Sequence, residues 1–210
     1  MAEGGITGWV VDVVDRIGEA GVGALMTLEN LFPPIPSEVI LPLAGYRAEE
    51  GALNVVLVWV AATIGALVGA LCLYALGALV GYERLHELAA QRWFVVLSQK
   101  DLERGRRFFD DHGGKVVLLG RCVPLVRSVV SVPAGLAGMP MARFVLFTVV
   151  GSGVWNAIFI AAGWYLGDNY DRVEGVVGPV GLAVVVLLLG WFVWSVVKNV
   201  RERRRAVAAP

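Results

Sequence analysis

The stretch that decides the fold is ENLFPPIPSEVILPLAGY, residues 29–46. It lies in an apolar segment, residues 20–46, that is long enough to enter a bilayer but contains four prolines and two acidic residues. Each proline removes a backbone donor and clashes with the preceding turn of a helix. In lipid, such broken backbone persists only where protein or a water-filled cavity surrounds it. The stretch therefore predicts a re-entrant helical hairpin, which enters and leaves the membrane by the same side.

A second stretch, GRCVPLVRSVVSVPAGLAG at residues 120–138, has the same character. It belongs to an apolar segment that is broken by three prolines and carries two arginines, and it predicts a second re-entrant hairpin. An amphipathic stretch precedes each hairpin, at residues 9–19 and 102–112, and a glycine-rich apolar stretch follows each. This order predicts an internal repeat of opposite orientation, which is an architecture of secondary transporters.

The composition around these hairpins is that of a membrane protein. Hydrophobic residues make up 57% of the chain and charged residues 17%, against about 25% charged in soluble domains. Three uncharged stretches, at 52–82, 144–167 and 175–197, exceed the roughly 20 residues that span a bilayer. We expect an all-α integral membrane protein with three spanning helices plus two re-entrant helical hairpins in an inverted repeat. One membrane domain, residues 1–210, would comprise half-repeats 1–82 and 98–167, a last span at 175–197 and a basic tail at 198–210.

The distribution of charge predicts the orientation. Lys and Arg collect in residues 83–115 and in the tail, and such segments lie in the cytoplasm. The N-terminus should therefore lie outside and the C-terminus inside the cytoplasmic membrane of a bacterium. The net charge is zero, so nothing favours nucleic acid as a partner. Two isolated cysteines predict neither a zinc site nor a disulfide framework, and we expect no metal or cofactor. Small-xxx-small glycine pairs predict close helix packing, which could include a homodimer seam.

Four charges fall inside the proline-broken stretches: Glu29, Glu38, Arg121 and Arg127. Each costs roughly 2.5–3.5 kcal/mol at mid-bilayer on insertion scales, so something must offset that cost. One interpretation is structural, with the acids paired to the arginines or the side chains reaching a nearby surface. The other is a binding site, because the planar guanidinium fork binds phosphate through two parallel hydrogen bonds. In a poorly solvated cavity the two carboxylates could exchange protons near neutral pH and so couple transport to a proton gradient.

Seven further residues are expected to line the cavity between the hairpins: Pro33, Pro36, Ser37, Pro124, Ser128, Trp155 and Asn156. For Trp155 and Asn156, a polar contact between packed helices is an equal alternative.

The two proline-containing stretches, with the glycine-rich segment 144–167 behind them, closely resemble the DedA family of bacterial inner-membrane proteins, relatives of the eukaryotic VTT-domain lipid scramblases. The resemblance covers residues 25–167. It implies a re-entrant inverted-repeat fold and transport of lipid phosphates, with undecaprenyl phosphate recycling for members that carry the FPPIPSE form. It also implies that Glu29 and Glu38 are the membrane-embedded acids of the family, and that Arg121 and Arg127 are its arginine pair.

These observations favour a flippase for a lipid phosphate, with undecaprenyl phosphate or a phospholipid as substrate and proton-motive force as the driver. A passive phospholipid scramblase would need the same groove without energy coupling. An ion or drug exchanger would use the two acids as proton sites and the arginines as counter-charges. A membrane lipid phosphatase would also need a nucleophile and an acid or base. Because His86 and His112 lie away from both hairpins, we do not expect an enzyme.

Overall fold

The computed structural model describes residues 6–32, 37–90, 99–123 and 126–166. All the regular structure in these ranges is helical, which confirms an all-α fold for this part of the chain. The helices are α1 (Ile6–Ile17), α2 (Glu19–Leu31), α3 (Ser37–Glu49), α4 (Val55–Val80), α5 (Tyr82–Ala90), α6 (Gln99–Gly120), α7 (Val126–Val129), α8 (Ser131–Leu136) and α9 (Met141–Leu166). The predicted span at 175–197, the basic tail, and Pro33, Pro36 and Pro124 lie outside the described residues.

Two of the predicted spans appear as the long helices α4 and α9. Each has 26 residues, or about 39 Å of helix, which exceeds a hydrocarbon core of about 30 Å. The side chain of Asn54 caps α4 by accepting hydrogen bonds from the amides of Val56 and Leu57. Gly81 ends α4 with a positive φ of 72°. Both helices are long and apolar enough to cross a membrane.

The first proline-rich stretch separates two antiparallel helical arms, α2 and α3. At the start of α2, the carboxylate of Glu19 accepts a hydrogen bond of 2.9 Å from the backbone amide of Asn54. In the last turn of α3, Arg47 forms an ion pair of 2.9 Å with Asp15. The open ends of both arms therefore lie together, at the N-terminal end of α4.

Charged contacts hold this open end together. Tyr46 donates a hydrogen bond of 2.8 Å to the carboxylate of Glu50, and Arg47 donates one of 2.9 Å. These two bonds, that of Tyr46 foremost, hold the pKa of the Glu50 carboxyl below its ordinary value. Glu50 therefore stays ionised and paired with Arg47 at neutral pH.

The second hairpin is built differently in its first arm. Helix α6 runs without interruption, so the amphipathic stretch and the first arm of the hairpin form one helix. The return arm consists of α7 and α8. Residues 109–115 of α6, residues 137–140 after α8 and Arg143 of α9 line one cavity of about 550 Å³. The Tyr74 hydroxyl, near the C-terminal end of α4, donates to the Met139 carbonyl at 2.5 Å, so this hairpin opens toward the opposite end of α4.

The return arms of the two hairpins press on the long helices through equivalent glycine contacts. A Cβ atom on any of these glycines would overlap a backbone carbonyl. In the first hairpin, Gly45 of α3 faces the carbonyl of Ile160, and Gly163 of α9 faces the carbonyl of Pro42. In the second hairpin, Gly135 of α8 faces the carbonyl of Tyr74, and Gly77 of α4 faces the carbonyl of Val132. In both hairpins the two contacts are spaced by three residues on each helix. This matching geometry supports the predicted inverted repeat, whereas re-entrance into a bilayer stays a prediction.

Proline does not break the helix at every predicted position. Pro42 lies inside α3, and Pro133 lies inside α8. The main-chain atoms of Pro42 pack directly against Gly163 of α9, where no side chain intervenes. Close packing of this kind can offset the single backbone hydrogen bond that an internal proline removes.

Glycines of the predicted small-xxx-small pairs pack against other helices of the same chain. Gly65 of α4 packs on Gly23 of α2, and Gly69 of α4 packs on Asn30. Gly77 and Gly163 are engaged in the return-arm contacts described above. These glycines therefore explain packing within one subunit, and the homodimer stays a prediction.

We expect Gly45→Ala to lower the stability of the detergent-purified protein by about 1–3 kcal/mol, because the new methyl group would overlap the Ile160 carbonyl. The measurement is the thermal unfolding midpoint. Gly105→Ala in α6 is the matched control: nothing lies within 4 Å of its added Cβ, and alanine favours a helix. Equal midpoints for the two variants would contradict the close packing of α3 on α9.

Candidate functional site

The tips of the two hairpins meet between the middles of α4 and α9. A Cβ atom on Gly69 of α4 would lie 2.6 Å from the Cβ of Asn30, near the end of α2. A Cβ atom on Gly151 of α9 would lie 2.7 Å from the Cβ of Arg121, just after α6. Glycine at both positions therefore lets the tips approach closely, halfway along two helices long enough to span a bilayer.

A buried ion pair joins the hairpins at this point. Arg127 of the second hairpin contacts the Glu29 carboxylate of the first, and the two residues are 4% and 6% exposed. The acid and the arginine predicted from the two sequence stretches thus form a direct pair. Removing one partner of such a pair leaves an uncompensated buried charge, so the two charges depend on each other.

Arg121 is 1% exposed and is surrounded by neutral acceptors. One terminal nitrogen donates to Ser131 Oγ at 2.8 Å and to Thr148 Oγ1 at 3.4 Å, and the other donates to Asn30 Oδ1 at 3.4 Å. The guanidinium carbon lies 5.8 Å from the ring centre of Phe144. Its Nε atom has no hydrogen-bond partner among the residues that the structure describes. Arg121 therefore brings a charge to the site that no carboxylate contacts there.

Asn30 connects the two arginines. Its amide nitrogen donates to Glu29 Oε2 at 3.3 Å and to the Met26 carbonyl at 3.0 Å, while its oxygen accepts from Arg121. The result is a continuous network from Arg127 through Glu29 and Asn30 to Arg121. We call this network, together with Ser131 and Thr148, the charge cluster.

The other predicted hairpin residues lie at the edge of the charge cluster. Glu38 is half-buried and accepts a hydrogen bond of 3.3 Å from the hydroxyl of the buried Ser37. It forms no ion pair within the described ranges. Ser128 is buried beside Arg127 on α7. The structure thus joins Glu29, Arg121 and Arg127 and leaves Glu38 outside the network.

Trp155 and Asn156 of α9 lie next to the charge cluster. The guanidinium carbon of Arg127 lies 5.8 Å from the ring centre of Trp155, within reach of a cation–π interaction. Asn156 is fully buried and donates to Thr63 Oγ1 of α4 at 3.3 Å. These positions fit both a cavity wall and a polar contact between helices.

Sequence reasoning missed several polar members of the site: Asn30, Thr63, Ser131, Thr148 and Ser152. For two of these five a signal was available. Thr148 and Ser152 are spaced by four residues from each other, and Ser152 by four from the predicted Asn156, and this spacing puts all three on one face of a helix.

The two histidines make contacts in other parts of the fold. His86 lies 3.4 Å from Glu103 and stacks on Tyr82, and His112 stacks on Phe108. No group of three or more His, Cys, Asp or Glu residues that could hold a metal ion occurs in the described part of the chain.

Chemically, the charge cluster is suited to exchange anions. Arg127 already binds one carboxylate, and the fork geometry of its guanidinium accepts a phosphate equally well. Because the pair is buried, an anion can enter only if it replaces the Glu29 carboxylate or if that carboxylate becomes neutral.

Comparisons with known proteins identify the family. The model of the VTT domain matches residues 35–165, more than half of the chain. A protein of Lactococcus lactis subsp. lactis named alkaline phosphatase-like protein is 36% identical over 92% of both chains. Protein DedA of Escherichia coli K12 is 30% identical over 100% of this chain and 90% of its own.

Undecaprenyl phosphate transporter A of Bacillus subtilis is 28% identical over 90% of this chain and 94% of its own. No solved structure matches the chain. The family model and these relatives agree with the resemblance carried by the two proline-containing stretches, and the chain belongs to the VTT-domain (DedA) family of membrane proteins.

Proposed function

We propose that this protein is a membrane transporter that flips a lipid phosphate across the bacterial cytoplasmic membrane, with undecaprenyl phosphate as its substrate. The observation that carries the proposal is the charge cluster, in which two buried arginines meet at the tips of oppositely opening hairpins. The names of two relatives, DedA and undecaprenyl phosphate transporter A, support a transporter of this family.

Competition between the substrate phosphate and Glu29 for Arg127 gives a mechanism for coupling. When Glu29 is ionised, it forms an ion pair with Arg127, as in this conformation. When Glu29 takes up a proton from the outer side, its hold on Arg127 weakens, and the lipid phosphate can bind Arg127 and Arg121. Loss of the proton to the inner side restores the ion pair and displaces the phosphate, while the prenyl chain stays in lipid. Glu38, at the edge of the cluster, would pass the proton to Glu29.

The test is reconstitution in liposomes, with an assay that reports which leaflet holds the phosphate headgroup. We expect Arg127→Lys to fold and to reduce transport at least tenfold, because lysine keeps the charge but loses the bidentate fork. Asp15→Asn, which changes only the exposed pair with Arg47, is the control and should transport at the parental rate. A parental rate for Arg127→Lys, with no transport by Arg127→Ala, would show that a point charge suffices.

The same assay separates the substrates and the competing functions. Undecaprenyl phosphate should move faster than a glycerophospholipid, whereas a scramblase would move both and would ignore the proton gradient. The alkaline phosphatase-like name belongs to the Lactococcus relative. Release of inorganic phosphate from undecaprenyl phosphate would revive the phosphatase alternative, although neither histidine contacts the charge cluster.

The proposed orientation places the N-terminus and residues 47–51 outside, and the part of α6 that includes Gly105 in the cytoplasm. In a variant without native cysteines, we expect Gly51→Cys to react with an impermeant thiol reagent in intact cells, and Gly105→Cys to react only after permeabilisation. Both glycines have open space around them, but Gly51 has a positive φ of 77°. A cysteine there costs roughly 1–2 kcal/mol of backbone strain, which is confined to an exposed turn. Labelling of Gly105→Cys from outside in intact cells would contradict the proposed orientation.

A further inference from the structure

One face of α9 is polar and fully covered by protein. Thr148, Ser152 and Asn156 are 0%, 4% and 0% exposed, and their spacing of four residues keeps them on one side of the helix. The opposite side carries Val150, Val154, Leu146 and Ile158, which are exposed as in a lipid-facing surface. We call Thr148, Ser152 and Asn156, together with Thr63 of α4, the polar face.

The polar face begins at the charge cluster and continues away from it. Thr148 accepts a hydrogen bond from Arg121 at 3.4 Å, and Asn156 donates one to Thr63 at 3.3 Å. The eight residues from Thr148 to Asn156 correspond to about 12 Å along the helix axis. Because α9 runs antiparallel to α4, this direction leads from the charge cluster toward the N-terminal end of α4, where the first hairpin opens.

Helix packing alone does not account for these polar atoms. The Oδ1 atom of the fully buried Asn156 has no hydrogen-bond partner within the described residues, nor does the buried Nε1 atom of the neighbouring Trp155. Leaving a buried polar atom unpaired costs free energy, so contacts that serve only packing normally satisfy both ends of an amide. The two atoms belong to consecutive residues of α9, and the ring centre of Trp155 lies 5.8 Å from the guanidinium carbon of Arg127, which we propose binds phosphate.

We propose that the polar face is the wall along which the phosphate headgroup passes between the charge cluster and the outer opening, and that it is closed in this conformation. The inference rests on the proposed function and assigns the route of the same substrate. Hydroxyl and amide groups both donate and accept hydrogen bonds, so they can replace the water around a phosphate. Because they carry no charge, they would hold it weakly enough to let it leave, which conduction along a route requires.

The experiment measures how fast cysteines on the two sides of α9 react with a charged, membrane-impermeant methanethiosulfonate reagent. Ser152→Cys and Asn156→Cys probe the polar face, and Val154→Cys and Ile158→Cys are matched controls on the lipid-facing side. All are made without Cys72 and Cys122, which are exposed in this fold. In proteoliposomes we expect the polar-face cysteines to react at least tenfold faster than the controls, and undecaprenyl phosphate to slow that reaction.

Transport measured on the same preparations separates this inference from the proposed function. One outcome is that the cysteine-free protein transports lipid phosphate while both polar-face cysteines react as slowly as the controls. The polar face is then a packing contact, and this inference is overturned while the proposed function stands. If the protein moves no lipid phosphate and added lipid phosphate does not slow the labelling, both the route and the proposed function are overturned.

A variant that disturbs the fold less is Ser152→Ala. It should slow transport severalfold and leave lipid phosphate binding at the parental affinity. A parental transport rate for Ser152→Ala counts against the route.

Discussion

Arg127→Ala should abolish lipid phosphate transport and destabilise the protein by about 3–5 kcal/mol, because it leaves the Glu29 carboxylate buried without its partner. The expected result is a large fall in the unfolding midpoint, together with loss of flipping in proteoliposomes. The matched control is Arg47→Ala, which breaks the more exposed pairs with Asp15 and Glu50. Pairs of that kind contribute at most about 1 kcal/mol, so this variant should stay folded and active.

A double variant separates the structural role of Arg127 from its functional role. Arg127→Ala combined with Glu29→Gln removes both charges, so we expect it to recover much of the lost stability and none of the transport. Stability and transport are measured on one preparation, so a folding defect cannot explain the lost activity. Recovery of transport by the double variant would mean that Arg127 is only a counter-ion for Glu29.

Glu29→Gln alone should make transport insensitive to the proton gradient. The lipid phosphate carries its own negative charge inward, so the membrane potential that favours entry of the proton opposes entry of the phosphate. The pH gradient supplies the net bias, which is about tenfold per proton for each pH unit. Wild-type protein in proteoliposomes should therefore move lipid phosphate inward much faster with a pH gradient, acidic outside, than without it. Glutamine keeps the hydrogen-bonding shape and cannot be ionised, so the variant should move lipid at one rate under both conditions.

Glu38→Gln makes the same chemical change at a half-buried acid outside the charge cluster. If Glu38 only passes the proton to Glu29, transport by this variant should still respond to the proton gradient, but less strongly. If both acids are required for coupling, Glu38→Gln should make transport as insensitive to the gradient as Glu29→Gln does. A wild-type protein that flips lipid equally fast with and without a gradient would contradict coupling altogether. Glu29 would then be a counter-ion, and the scramblase alternative would lead.

Local sequence predicted the helical class and two long helices well, because long uncharged runs leave a chain in lipid few choices other than a helix. The described helices α4 and α9 begin and end within about three residues of the predicted spans. The predicted breaks were less accurate, since Pro42 and Pro133 lie within helices. A proline in the interior of a helix removes one hydrogen bond, but whether packing offsets that loss depends on the neighbouring helix.

The family, the helical class and the buried charges could be predicted from the sequence, because each of these is contained in short motifs or in hydrophobic runs. The partners of those charges follow from the three-dimensional packing alone: Arg127 contacts Glu29 and not Glu38, and Arg121 contacts Asn30 and Thr148. Arg121 and Asn30 are separated by 91 residues along the chain, and no local pattern specifies such a contact. It arises because glycines at mid-helix let two oppositely opening hairpins approach until their tips touch, and the buried charges there can be stabilised only by each other and by the polar groups around them.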